Sequence, residues 1–289
     1  MAVYKRTYTA YNGPLTPAWS RFLILPRTSY SRLWQSRFLV MFFMACFFYP
    51  LGLTAYIYLA HNLSIFESVG VPGARLTSIF NIEPAVFLYY CWVQGALAYV
   101  LTAFVGPSLV SPDLVNNALP LYFCRPFTRA EYVLGKMSVL LFLLSMITWI
   151  PGLVLFTIQA SLEGWSWTVD NLWVAWALFA GLLVWCIVLS LIALAMSAWV
   201  KWKIAAGALV LGVFFVGAGL GSAVNQIVRT DAGSYLNLPD VMFTIWGDLF
   251  RVESDGGISA GSSWICLGVV CAICLWLLTR KVRAFEVIK

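Results

Sequence analysis

The sequence predicts an all-α, polytopic membrane protein with six transmembrane helices, and three observations carry that expectation. The 289 residues are 62% hydrophobic and 10% charged, far from the roughly 45–50% and 25% of globular chains. Eighteen Lys+Arg and twelve Asp+Glu cannot coat a water-soluble fold of this length. Six apolar stretches reach the ~20 residues that a helix needs to cross a bilayer core. Finally, Lys and Arg alternate between connections: fifteen fall on one side of the bundle and three (Arg75, Arg229, Arg251) on the other, which also holds nine of the twelve acids. By the positive-inside rule both termini are then cytoplasmic.

The spans run Phe38–Ala60, Ala85–Val110, Val133–Gln159, Leu172–Trp199, Ile204–Val224 and Ser262–Thr279. Residues 1–37 form a cytoplasmic N-terminal segment. There Trp19, Phe22, Leu23, Leu33, Trp34 and Phe38 alternate with Arg21, Arg27, Arg32 and Arg37, as expected of an interfacial helix rather than a signal peptide. Residues 38–279 form the transmembrane domain and 280–289 a basic cytoplasmic tail. Lys201 and Lys203 separate the fourth and fifth spans by a tight turn at a membrane surface. The outer connection, 225–261, is too long for a turn. In it Leu238, Val241, Met242, Ile245, Trp246, Leu249 and Phe250 draw an apolar stripe on a helix opened by Pro239, with Asp240 and Asp248 opposite. That amphipathic helix is expected along the outer membrane surface, over the mouth of a cavity, or simply packed on the spans.

The cytoplasmic segment 111–131 is the richest in punctuation. Ser111 suits an N-cap, Pro112 the first helical position and Asp113 the positive end of the dipole, so a short helix is expected to start there and stop near Leu119, before Pro120. Arg125-Pro126 is extended or turned, and Thr128 with Glu131 makes a capping box that starts a helix running into the third span. Arg125 and Arg129 also fit as ordinary positive-inside residues, and Lys136 as a snorkelling lysine.

The run from Asp113 through Leu119, Pro120, Leu121, Arg125, Pro126, Arg129, Tyr132, Gly135 and Lys136 resembles the coupling-helix region of the ABC type-2 permease family, the membrane subunits of ABC exporters. Six spans, cytoplasmic termini and a long outer connection between the last two agree with that resemblance. It implies a subunit of the bacterial plasma (inner) membrane that exports a substrate. It also implies a partner permease subunit, identical or homologous, and a separate cytoplasmic ABC ATPase carrying ATP and magnesium. The ATPase-coupling segment would comprise Pro112, Asp113, Leu114, Asn117, Leu119, Pro120, Arg125, Pro126, Arg129 and Glu131. Gly217 and Gly221, a small-residue face on the fifth span, would serve in helix packing or at a dimer contact. No nucleotide-binding loop G-x-x-x-x-G-K-[ST] occurs in the chain, so no cofactor or catalytic activity of its own is expected. Its other partners are membrane lipids, with no nucleic acid.

The remaining motifs are weak. Gly257-Ile-Ser259-Ala-Gly261 matches a hydrolase elbow without the sheet that elbow needs. Cys266, Cys271 and Cys274 point around a helix in different directions, so they do not converge on a cluster. A single His and cysteines within apolar runs leave little for acid–base catalysis, zinc or a disulfide framework. Gln94, Asn225 and Gln226 are the few strongly polar groups near the spans, and no proton relay is evident. Aromatic walls suit a hydrophobic or amphipathic substrate, although Trp149, Trp165, Trp167, Trp173, Trp199, Trp202, Trp264 and Trp276 also sit where interfacial belts would. A non-transporting membrane scaffold of an envelope complex is the alternative reading.

Overall fold

The computed structural model describes residues 23–62, 82–116, 118, 120, 122, 128–252 and 257–281. Among these residues there is no strand, and six helices are long and apolar enough to cross a membrane: span 1 (Arg37–His61), span 2 (Pro84–Val115), span 3 (Arg129–Glu163), span 4 (Leu172–Trp199), span 5 (Lys203–Val228) and span 6 (Ala260–Lys281). The chain is thus a multi-pass membrane protein. The expectations placed on residues 1–22, on Arg75 and on residues 282–289 lie outside the described residues.

Spans 2, 3 and 4 form the centre, since 61%, 61% and 72% of their apolar windows are buried, against 17–22% for the other three. Small residues let the central pair touch. A Cβ built on Gly106 of span 2 would lie 2.5 Å from the Cβ of Ala193 in span 4. Lipid tails are as apolar as Leu, so such close packing and hydrogen bonds, rather than a hydrophobic drive, hold these helices together. The outer three spans turn residues such as Phe48, Phe215 and Ile265 outward.

Two spans are broken, and both breaks follow from proline. Span 1 consists of Arg37–Ala45 and Phe48–His61, and span 3 of Arg129–Ile147 and Trp149–Glu163, interrupted at Thr148 (φ −107°, ψ −95°). Pro50 and Pro151 have no N–H for the carbonyls four residues earlier, Cys46 and Ile147. In a hydrocarbon core an unmatched carbonyl needs another donor. Gln94 of span 2, fully buried, supplies both: its Nε2 donates to Cys46 O at 3.0 Å and to Ile147 O. One turn earlier on the same face, the Tyr90 hydroxyl donates to Thr148 O at 2.6 Å. The amide cannot be reversed, because Oε1 would then face two carbonyl oxygens.

The outer connection supplies a 3₁₀ segment (Asp231–Leu236) and a wedge helix (Leu238–Leu249). The apolar stripe drawn from sequence is the buried face, with only Leu249 half-buried, while Asp240 and Asp248 are exposed. Of the positions expected for this helix, packing on the spans is the one described here. Trp246 is driven between spans 2 and 4, where a Cβ on Gly95 would lie 2.6 Å from its ring and a Cβ on Gly181 2.8 Å. At 1.5 Å per residue Gly95 lies about 16 Å along span 2 from Pro84, so the wedge reaches well into the bundle. Gly217 and Gly221 face inward to this connection: Cβ atoms there would collide with Leu236 O and Gly233 O. Asn225 secures the same segment by accepting from Gly233 N at 2.7 Å and donating to Ser234 Oγ at 3.0 Å.

Gln94→Leu should lower stability by about 1–3 kcal/mol, the cost of two buried carbonyls losing their donor. In that background Pro151→Ala returns an N–H to Ile147 O. Thermal unfolding in detergent should therefore show Pro151→Ala less costly in the Gln94→Leu variant than in the natural sequence, a coupling that a double-mutant cycle measures.

Candidate functional site

Segment 111–131 and its roots in spans 2 and 3 make the candidate site. Span 3 begins as its sequence requires: Thr128 Oγ1 accepts from Glu131 N at 3.2 Å and Glu131 Oε2 accepts from Thr128 N at 2.6 Å, a complete capping box. Arg129, the first helical residue, is exposed. One turn on, Tyr132 is buried and turns toward span 2, where its hydroxyl donates to Asp113 Oδ2 at 2.8 Å.

The expected separate helix starting at Ser111 is corrected here. Span 2 continues through Pro107 and Pro112 without interruption to Val115. Ser111 is not a cap, because its hydroxyl is taken by span 4: Oγ donates to Val200 O at 3.0 Å and lies 3.1 Å from Ser197 Oγ, which in turn accepts from Ser111 N at 3.1 Å. Tertiary partners have outcompeted a local capping signal. Pro107 likewise removes the donor for Ala103 O, and span 5 closes on that carbonyl, since a Cβ on Gly207 would lie 2.9 Å from it.

Asp113 consequently sits in the last turn of a helix, not in the first. There the dipole's negative end disfavours a carboxylate, and a buried charge needs a partner. The partner is Lys136 of span 3, whose Nζ is 2.8 Å from Asp113 Oδ2 and 5.6 Å from the centre of the Tyr132 ring. Lys136 therefore does not snorkel. It is buried, at 6% exposure, and counting it among the charges of the connection overlooked an ionisable group inside a span. Spacing alone does not pair Asp113 with Lys136. The available signal was the two charges themselves, one in the last turn of span 2 and the other about two turns into span 3, where each needs a counter-charge.

The N-terminal helix (Ile24–Leu33) braces this site from the side. Leu25 packs with Tyr132, together with half-buried Leu114 and Tyr122. The Tyr30 hydroxyl donates to Val139 O at 3.3 Å, and burial pushes its pKa up to about 12. Tyr122 lies 5.5 Å from Tyr132, ring to ring, and its pKa is raised by burial, then by the Asp113 carboxylate, with Arg32 opposing.

Of the residues expected in the coupling segment, Asp113 and Leu114 meet Tyr132 of span 3, and Arg129 and Glu131 lie in that span's first turn. Pro112 lies within span 2, Pro120 is exposed, and Asn117, Leu119, Arg125 and Pro126 lie outside the described residues. Elsewhere, Ser259 of the hydrolase-like pattern serves the start of span 6, its Oγ accepting from Ser262 N at 3.3 Å. The lone His61 has Nε2 3.0 Å from Glu163 Oε1, tying the far ends of spans 1 and 3. An ion pair and two serines lock the roots of the connection to spans 2, 3 and 4.

Lys136→Met or Asp113→Leu alone should destabilise the protein by about 3–5 kcal/mol, because each leaves one buried charge unpaired, whereas the double variant should recover most of that loss. Thermal unfolding of the three purified variants checks the order. Compared with known proteins, the sequence matches no family model and no curated protein.

Proposed function

We propose that the chain is the transmembrane permease subunit of an ATP-driven ABC exporter in the bacterial inner membrane, working as a dimer on a separate cytoplasmic ATPase. One observation carries the reading: Asp113, Tyr132 and Lys136 tie together the two roots of the connection whose sequence resembles the family's coupling segment. A segment so anchored cannot be displaced without carrying spans 2 and 3 with it. In the proposed cycle ATP draws two ATPase subunits together and their closure presses on segment 111–131. Spans 2 and 3 tilt as a unit, and the Ser111–Ser197 contact carries span 4 with them. Trp246, held between Gly95 and Gly181 of spans 2 and 4, converts their relative motion into movement of the wedge helix on the other side. Both chain termini are cytoplasmic in this reading, and the 15-to-3 division of Lys and Arg supports it.

Co-purification with the cognate ATPase, followed by transport and ATPase assays in proteoliposomes, tests the proposal. Charge reversal at Arg125 and Arg129 should lower docking and substrate-stimulated ATPase at least tenfold. The uncharged Asp113→Leu/Lys136→Met pair should still dock but transport less per ATP. Full docking and transport after both arginine substitutions would overturn the coupling assignment. ATPase indifferent to every substrate, with stable additional partners, would instead identify a scaffold.

A further inference from the structure

Beneath the wedge helix lies a cavity of about 170 Å³, between spans 2, 4 and 5. Its walls include Gly95, Ala96 and Tyr99 of span 2, Trp185 of span 4, Phe214 of span 5 and Trp246 of the wedge helix. The geometry points to a binding site for a small planar aromatic molecule of one ring or two fused rings. This goes beyond the permease reading and does not rest on it.

Three features converge on that ligand. First, the buried part of the wall offers water too few polar partners. The Tyr99 hydroxyl donates to Leu211 O at 2.8 Å and the Trp185 Nε1 to Gly95 O at 3.0 Å. Among the buried rings of the wall Trp246 Nε1 is the remaining donor and has no partner among the described residues, while Trp92 stands exposed at the mouth. A buried water needs two to four polar partners, so the space is dry. Second, the size is right: an apolar cavity of roughly 150 Å³ takes benzene, and this one is slightly larger. Third, the rings already stand as faces and edges to one another. Trp185 meets Phe214 at 5.7 Å and 87°, and Trp246 at 6.0 Å and 78°. An inserted ring finds edge-to-face contacts that an aliphatic chain of equal volume does not exploit. Access is from the flank of span 2, where Ala96 and Trp92 are exposed.

Thermal unfolding of the full chain in nanodiscs, with benzene, indole, naphthalene or hexane added, tests the site. Benzene and indole should raise Tm by about 5 °C at a hundredfold excess over Kd, and hexane should not. Ala96→Phe, which places a ring in the cavity, should abolish the shift while leaving the unliganded Tm nearly unchanged. Trp246→Phe, which enlarges the space, should strengthen the response to naphthalene relative to benzene. Fluorobenzene should show exchange-broadened ¹⁹F resonances with the natural sequence and sharp ones with Ala96→Phe, a readout independent of stability. Absence of any shift and broadening with the natural sequence, persistence of both in Ala96→Phe, or an equal response to hexane overturns the proposal.

Discussion

The bundle is organised around a single amide. Helix-breaking prolines at 50 and 151 bend spans 1 and 3, and each leaves one carbonyl without its helical donor. In water a solvent molecule would meet that need, whereas in hydrocarbon a protein group must. Gln94 meets it for both helices at once, which places the two breaks at the same depth against span 2. Tyr90 adds a third bond at the same break in span 3. Since Nε2 carries two hydrogens and both are used, the amide defines the lateral order of three spans with one side chain. The Oε1 atom, without a partner among the described residues, is what this arrangement costs.

Polar contacts thus do in this protein what apolar patterning does in a soluble one. Leu, Ile and Val along the spans gain little by choosing each other over lipid. Specific positions come from the Gln94 pins at mid-depth, the Ser111–Ser197 and Asp113–Lys136 contacts at the basic end, and His61–Glu163 at the other. Glycines fix distance. Gly95, Gly106, Gly181 and Gly207 each sit where a Cβ would collide with a neighbouring helix or the wedge. The wedge helix combines both devices, since its ring fills a two-glycine slot while Asn225 fastens the chain leading into it.

Features carried by local chemistry were legible in the sequence. All six spans, the capping box of Thr128 and Glu131, and the apolar stripe from Leu238 to Phe250 follow from composition, spacing and side-chain type, and all appear in the structure. Features decided by partners distant in the chain were not. Ser111, Pro112 and Asp113 together read as a helix start, yet 86 residues separate Ser111 from the serine that claims it. Lys136 counts as a surface charge until Asp113 is seen against it. Gln94 carries no local mark of its role, although the prolines at 50 and 151 announce that two carbonyls need donors. The depth of the wedge was hidden because an apolar stripe states that a face is covered without stating by what.

The two bonds of Gln94 also set a schedule for biosynthesis. The chain leaves the ribosome from its N-terminus, so Cys46 is already in place when span 2 enters the bilayer, and the first bond can close within that hairpin. Ile147 is made later. Until span 3 arrives, one N–H of a buried amide faces lipid, and the early hairpin is incomplete in a way that only the following helix can repair. Membrane insertion of the first three spans is thereby coupled: the pair that enters first is held open, chemically, for the third.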